Sequence, residues 1–409
     1  MKKNYFFINS LLKLSTLLLV VTIAFTSCKK DKVAEVQNEI ETVSVDPNAI
    51  PGQYIVVLDS KRMGTVKRTS NYEERTELFK NQILSIIGTQ KMSSDMEILN
   101  VYSSAITGFA AKLSKEDVAR LKNLPEVISV ESDRKMQLDQ RELSPISTEL
   151  PRVRADYFPW GINYIGGAYQ GEGKVAWVID SGIDLDHPDL NVDQTKGRCY
   201  CVYYSSNPGP NDDNGHGSHV AGTIAAKYNS IGVVGVAANA TVIPVKVVNS
   251  TGHGTESDCV KAVDYVSYNG KAGEVANMSL GYSPNTILDN AVKNAAAKGI
   301  KFAIAAGNEH SNAQYVTPAR VVATNVYKAA AINSSGSWAS FSNYGNVVDW
   351  ALPGVGVWST YKNGEYSKLD GTSMASPHLA GMLLITSNIK TKGHVTCPYD
   401  NKSYKIAKF

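Results

Sequence analysis

Apolar positions recur along this chain in two rhythms, and the change from one to the other divides it. The run Gly52-Gln-Tyr-Ile-Val-Val-Leu58 reads as a strand. Leu78, Phe79, Ile83, Leu84 and Ile87 then stand at helical spacing among charged residues and predict a helix over 72–87. Strand-like runs follow at 96–103 and 108–113. Ser114-Lys-Glu-Asp117 has the character of a capping box and predicts a second helix through Leu124. Val127-Ile-Ser-Val130 closes the unit as a last strand. The order βαββαβ predicts a small α+β, ferredoxin-like sandwich over 51–138. Between Arg134 and Phe158 the pattern dissolves into charged, proline-containing sequence, a linker or cleavage region.

From Trp160 onward near-continuous apolar strands alternate with helices. Strands are predicted at 175–179, 241–248, 275–279 and 300–305, with helices starting near His216 and spanning 257–269 and 287–298. Strands apolar on both faces imply an α/β fold, a parallel sheet with helices on both faces, here over 157–409. Reactive groups then belong at the carboxyl ends of the strands, where Asp180 and Asn308 fall. The stretch after Ser373 is short, so the end of the fold, Cys397 included, is expected to be trimmed or rearranged.

The N-terminus changes the picture. Met1-Lys-Lys precedes an apolar run over 11–25 and then Thr26-Ser-Cys28, a secretory signal over residues 1–28 rather than a spanning helix. Residues 29–50 read as a polar tether. With 43% hydrophobic and 19% charged residues and a net charge of +3, the composition is that of a globular protein. No basic stripe suggests nucleic acid. Of five cysteines, Cys199, Cys201, Cys259 and Cys397 remain after the signal, and an oxidising compartment predicts one or two disulfides among them. Cys199 and Cys201 are too close in sequence to pair comfortably with each other, and ligand spacing for zinc is lacking.

Three stretches carry the chemistry: Val178-Ile-Asp180-Ser-Gly-Ile-Asp184, Asn214-Gly-His216-Gly-Ser-His219 and Gly371-Thr-Ser373-Met-Ala-Ser-Pro-His378. A hydroxyl of ordinary pKa becomes a nucleophile when a base takes its proton and a buried acceptor holds that base in one tautomer. Asp180 ends an apolar strand, His216 sits in a glycine-flanked turn at a helix start, and Ser373 opens a helix whose first-turn N–H groups favour an oxyanion. Asn308, in Ala305-Ala-Gly-Asn308, offers a side-chain amide as a second donor.

These motifs resemble the subtilisin and proteinase K superfamily of serine endopeptidases over about 160–387. The resemblance implies that Asp180 orients, His216 acts as general base then acid, Ser373 attacks the carbonyl and Asn308 helps bind the oxyanion. It also implies that Ser250, Thr251 and Gly252 pair with an extended polypeptide substrate, that Ser279, Leu280 and Gly281 form the opposite wall, and that Ala305, Ala306 and Gly307 floor the primary pocket. Tyr282 stands where a glycine is common, implying a narrowed cleft. Glu256 stands where an aromatic lid is common, implying tolerance of basic residues upstream of the cut.

A structural Ca²⁺ is implied at Asp189, Lys227, Asn229, Ile231 and Val233, with oxygen-only donors suiting a hard cation. The sandwich matches the family's propeptide, an intramolecular inhibitor that assists folding, with the maturation site expected in the linker 139–156. A signal ending at Cys28 resembles the bacterial lipoprotein type, so the precursor is expected at the cell envelope, transiently tethered through a lipidated Cys28, and the matured monomer outside the cell. A catalytically silent binding protein, or an acyl transferase or esterase using the same nucleophile, are the alternative readings.

Overall fold

The computed structural model describes residues 46–64, 69, 71–139, 141, 144–148, 156–201 and 209–409. The expected signal segment, Cys28 and nearly all of the tether lie outside the described residues. Residues 46–409 form one compact unit. Among the described residues no helix is long and apolar enough to cross a membrane.

The first part is built from β1 (Ala49–Leu58), α1 (Tyr72–Ile87), β2 (Glu97–Tyr102), β3 (Gly108–Lys112), α2 (Lys115–Lys122) and β4 (Val127–Gln137). Asn71 caps α1, its side chain accepting from Glu73 N at 2.8 Å. Ser114 and Asp117 form the expected capping box at α2. The four strands pair antiparallel in the order β4-β1-β3-β2, with α1 and α2 on one face, the ferredoxin-like arrangement.

Alternation along β1 shows why this sheet is not free-standing. Val56 packs with Phe79, Ile83, Phe109 and Leu121 under the helices, whereas Ile55 joins Tyr102, Ala110, Met136 and Leu138 in the core of the larger layer. Both faces are buried, one by the unit's own helices and the other by the rest of the chain.

The larger layer runs through β5 (Val175–Asp180), α3 (His216–Ala225), β6 (Thr241–Lys246), β7 (His253–Thr255), α4 (Glu256–Asn269), β8 (Val275–Met278), α5 (Thr286–Ala297), β9 (Lys301–Ala305), β10 (Val326–Ile332), β11 (Trp350–Pro353), a hairpin of β12 (Val357–Thr360) and β13 (Tyr366–Leu369), α6 (Thr372–Ile385), β14 (Lys390–Thr396) and β15 (Ser403–Lys408). Strands β6-β5-β8-β9-β10-β11-β15 are parallel neighbours, with β14 antiparallel at the edge. α3 and α6 pack side by side on the sheet, and α6 is buried along almost its whole length.

After α6 the chain ends in a hairpin at the edge of the sheet. β14 and β15 extend the sheet and pack Val395, Cys397, Tyr404 and Ile406 against Trp338. The disulfide expectation is overturned. Cys199, Cys201, Cys259 and Cys397 are all free, with Cys259 at the seam between sandwich and layer and Cys397 in the terminal hairpin. The Cys199 and Cys201 sulfurs lie 3.5 Å apart without a bond.

Candidate active site

Asp180 is the last residue of β5 and His216 the first of α3, so one sheet edge and one helix start present both groups. Asp180 Oδ1 accepts from His216 Nδ1 at 2.7 Å, with both side chains fully buried, and from Ser181 N at 2.7 Å. That contact leaves Nε2 as the ring nitrogen turned away from the carboxylate. Gly215, which caps α3, has φ 110°, and a Cβ there would collide with the Tyr361 ring at 2.3 Å.

Asp212, which the sequence reading missed, holds this turn. Its Oδ1 accepts from Ser181 Oγ at 2.9 Å, Asn214 N at 3.0 Å and Gly215 N at 2.8 Å, and Oδ2 accepts from Ser218 N at 2.9 Å and Ser218 Oγ at 2.6 Å. One buried carboxylate thereby ties the strand carrying Asp180 to the helix carrying His216. Its signal in the sequence was an acid in the turn just before the helix, a residue type that turns favour.

Ser373 is the second residue of α6 and 2% exposed. Its Oγ donates to Ser279 O at 3.1 Å, and Ser279 Oγ donates back to Ser373 O at 2.9 Å. Asn308 follows β9 and is oriented by Thr372, another residue the sequence reading missed. Asn308 Oδ1 accepts from Thr372 N and from Thr372 Oγ1, each at 2.8 Å. With Oδ1 fixed as the acceptor end, Nδ2 is the donor end, directed away from Thr372.

A cavity at Ser373 is lined by Leu280, Gly281, Ala305, Gly307, Asn308, Glu309 and Thr372 on one side and by Gln137, Leu138 and Asp139 on the other. Of the residues implied for substrate contact, Ser250, Thr251, Gly252, Ser279 and Ala306 are not in that lining, while Leu280, Gly281, Ala305 and Gly307 are. The chain's own β4 fills the cleft: Lys135, Met136 and Gln137 pair antiparallel with Thr255, Gly254 and His253, and Leu138 N donates to Gly252 O at 2.9 Å. This is strand addition to a sheet edge, with backbone groups supplying the recognition.

Tyr282 narrows the cleft less than its size suggests, because its hydroxyl is buried in the wall beside Cys259. Glu256 is fully buried and faces Arg134 Nη1 at 3.6 Å. Burial pushes its carboxyl well above the usual range, with Arg134 opposing.

Around the expected metal position, Asp189 is fully buried. Oδ2 accepts from Val233 N at 3.0 Å and from Tyr366 OH at 3.3 Å, while buried Oδ1 has no hydrogen-bond partner. Burial raises this carboxyl to about 7. Lys227 Nζ is turned to Pro188 O at 3.0 Å, and Asn229 Oδ1 accepts from Ile231 N at 3.1 Å. Asp156 Oδ1, also missed in the sequence, accepts from Asn229 N at 3.0 Å and Ser230 N at 2.8 Å. Among the described residues no group of three or more His, Cys, Asp or Glu is arranged to hold a metal, so a cation here would need amide and backbone oxygens beside the Asp189 carboxylate. An orphaned, buried carboxylate oxygen beside such a loop fits a hard cation.

Residues 171–396 match the Subtilase family and residues 53–139 match Peptidase inhibitor I9. The chain is 33% identical over 342 residues to alkaline serine exoprotease A of Vibrio alginolyticus, covering 82% of this chain and 60% of that protein. It is 40% identical over 286 residues to subtilisin NAT of Bacillus subtilis subsp. natto, covering 68% of this chain and 69% of that one. A crystal structure of a cold-adapted subtilisin-like serine proteinase superposes with a TM-score of 0.51 at 36% identity, over 55% of this chain and 83% of that chain. The chain belongs to the Subtilase family: it is a subtilisin-type serine endopeptidase preceded by an inhibitor-type propeptide.

Proposed function

We propose that Ser373, His216 and Asp180 hydrolyse peptide bonds through an acyl-enzyme. His216 Nε2 takes the Ser373 proton as Oγ attacks the substrate carbonyl, and Asp180 stabilises the resulting imidazolium. The oxyanion forms between Asn308 Nδ2 and the N–H groups at the start of α6, where the helix dipole favours it. His216 returns the proton to the leaving amine, and water, activated by the same imidazole, releases the acyl group. The observations that carry this reading are the 2.7 Å contact between fully buried Asp180 and His216 and the cavity lined by Ser373 and Asn308.

The precursor divides into a signal over 1–28, a tether over 29–50, a propeptide over 51–138, a linker over 139–156 containing a self-made cut, and a catalytic domain over 157–409. β4 inhibits because it occupies the substrate's place at β7. Matured enzyme pairs polypeptide substrates there instead, with Leu280, Gly281 and Gly307 around the side chain next to the cut. Arg134 at buried Glu256 supports acceptance of basic residues several positions upstream.

Asp189, Asn229 and the carbonyls of Lys227, Ile231 and Val233 would hold Ca²⁺, and Asp156 braces their loop. The ion would neutralise Asp189 and pin residues 227–233 to the start of the catalytic domain. The basic and apolar N-terminus supports export. Lipid on Cys28 would sit on the propeptide side of the cut, so maturation detaches the protease from its membrane. Mass spectrometry of the purified protein with and without Ser373→Ala tests the core of this reading: the wild type is cut between 139 and 156 and the variant is not. An equally cut variant contradicts it.

A further inference from the structure

Past Leu138 the chain makes contacts that a bound substrate does not need. Asp139 lines the cavity that holds Ser373 and Asn308, and residue 141 grips its carboxylate. Oδ1 accepts from Arg141 N at 3.0 Å and Arg141 Nε at 3.2 Å, and Oδ2 accepts from Nε at 3.1 Å and Nη2 at 2.7 Å. The same Nη2 donates to the backbone carbonyl of Asn308. The Arg141 guanidinium carbon also lies 5.5 Å from the Phe341 ring centre, a stacking contact that fixes the plane.

The register locates the bond. Leu138 N pairs with Gly252 O at the end of the ladder, so the next residue, Asp139, is the first to leave the strand pairing at the cavity. Asp139 and Arg141 both touch that site, which brackets the peptide bond following Asp139 between them. The cavity also carries Glu309, whose Oε2 accepts from Asn343 Nδ2 at 2.5 Å. An acidic residue is therefore a poor occupant on charge grounds, since two carboxylates share one cavity. The Arg141 guanidinium offsets that repulsion.

We infer that the maturation cut falls on the carboxyl side of Asp139 and that Arg141 is a positioning residue, making an acidic residue acceptable there until the bond is broken. The inference rests on Ser373 being the nucleophile. Ser373 Oγ forms an ester with the Asp139 carbonyl carbon as the following C–N bond breaks, and the serine proton passes through His216 to the departing amine nitrogen. Water then cleaves the ester, leaving a free Asp139 α-carboxylate and the restored hydroxyl.

The cut also undoes its own support. Arg141 now belongs to the other fragment, while the propeptide end carries two carboxylates beside Glu309. Repulsion at that end weakens the hold of the product, and the ladder from Lys135 to Leu138 opens from its exposed end. An acidic residue that is tolerated before the cut thus becomes a release device after it.

The test uses the full-length precursor, with intact masses of the fragments followed through the first turnover. The wild-type propeptide is expected to end at Asp139. Arg141→Ala should slow the cut about fivefold, a modest factor because the Arg141 side chain is 52% exposed and its ion pair is screened. Arg141→Lys should recover part of the rate. In Asp139→Leu, adding Arg141→Ala should change the rate less than about twofold, since no charge remains to offset, and the cleaved propeptide should stay bound longer than in wild type. A propeptide ending elsewhere overturns the assignment of the bond. An unchanged rate in Arg141→Ala, or an equal slowing whether or not Asp139 is present, overturns the positioning role. Cleavage of a Ser373→Ala precursor at the wild-type rate would instead contradict the nucleophile itself, so the two failures are distinguishable.

Discussion

The acids around Asp180 and the acids beneath the small sandwich are equally buried, and they differ in where their donors come from. Asp212 takes its donors from residues 181–218, all within the larger layer. Asp264, in α4, accepts from Ser103 N at 2.9 Å, Ser104 N at 2.7 Å, Ala105 N at 2.6 Å and Tyr72 OH at 2.8 Å, all in the sandwich. Asp133 crosses the other way to Ser257 N at 3.0 Å, and Asn100 Nδ2 reaches Asp258 Oδ1 at 3.1 Å. A buried carboxylate is tolerated only with donors. When the sandwich departs, the first set keeps its partners and the second must turn to water. The hub around Asp180 keeps its donors, and the seam loses its own.

The sharpest way to break this comparison is to damage the hub alone. Ser373→Ala should lower kcat by about 10⁶-fold while the seam stays closed. Asn308→Ala should lower kcat about 10²- to 10³-fold with KM little changed, read by steady-state kinetics on matured enzyme. Thr372→Val should act in the same direction and more weakly, because it removes one of the two donors that orient the amide. A large rise in KM instead would place Asn308 in substrate binding.

Damage to the seam should do the reverse. Asp264→Ala leaves three amides of the 103–105 turn without their acceptor, and the cleaved propeptide should dissociate at least about tenfold faster. The kcat of the freed enzyme should not move. If it falls as the propeptide loosens, hub and seam are one network and the distinction fails.

A smaller effect follows from protons. Burial beneath the sandwich raises Asp258 to about 8 and Glu256 well above its usual range. Carboxyls whose pKa is raised in the closed state hold protons there, so the closed state is favoured at low pH and loses that advantage as pH rises through about 8. Propeptide retention, measured by size-exclusion at fixed salt, should therefore fall between about pH 4 and 8, and Glu256→Gln should flatten the profile. Retention that rises with pH would contradict the assignment.

Smallest and most local is the loop at Asp189. Without a cation its carboxyl, raised to about 7 by burial, destabilises the fold as pH climbs from the unfolded value near 4. Chelated protein should melt higher at pH 5 than at pH 8, and added Ca²⁺ should remove that difference. A melting curve indifferent to chelator at pH 8 would argue that the loop holds no metal.

Legibility in the sequence follows the same division. The hub could be read because its groups sit in short local motifs at strand ends and helix starts, and the propeptide elements were legible from periodicity, α1 to the residue. The seam could not, since Tyr72, Asn100 and Ser103 meet Asp264 and Asp258 only through tertiary packing. β10 to β15 escaped notice for more reasons than length: β11, β12 and β13 have four residues each, but seven-residue β10 is alanine-rich and seven-residue β14 has only Val395 buried. An oxidising compartment suggested disulfides, but Cys259 is taken up under Met136, whose sulfur lies 3.3 Å away. Asp212 and Thr372 carry ordinary turn and cap signatures, and only their partners reveal that they orient His216 and Asn308.

The central proposal is that Ser373 is an activated nucleophile covered by Gln137, Leu138 and Asp139 until the chain cuts itself. Labelling with a fluorophosphonate probe, followed by peptide mass spectrometry, tests it most directly. The matured wild-type protein should carry one adduct per chain, on Ser373, and the Ser373→Ala protein none. A folded, propeptide-free protein that takes no label at Ser373, or takes it elsewhere, would contradict the account.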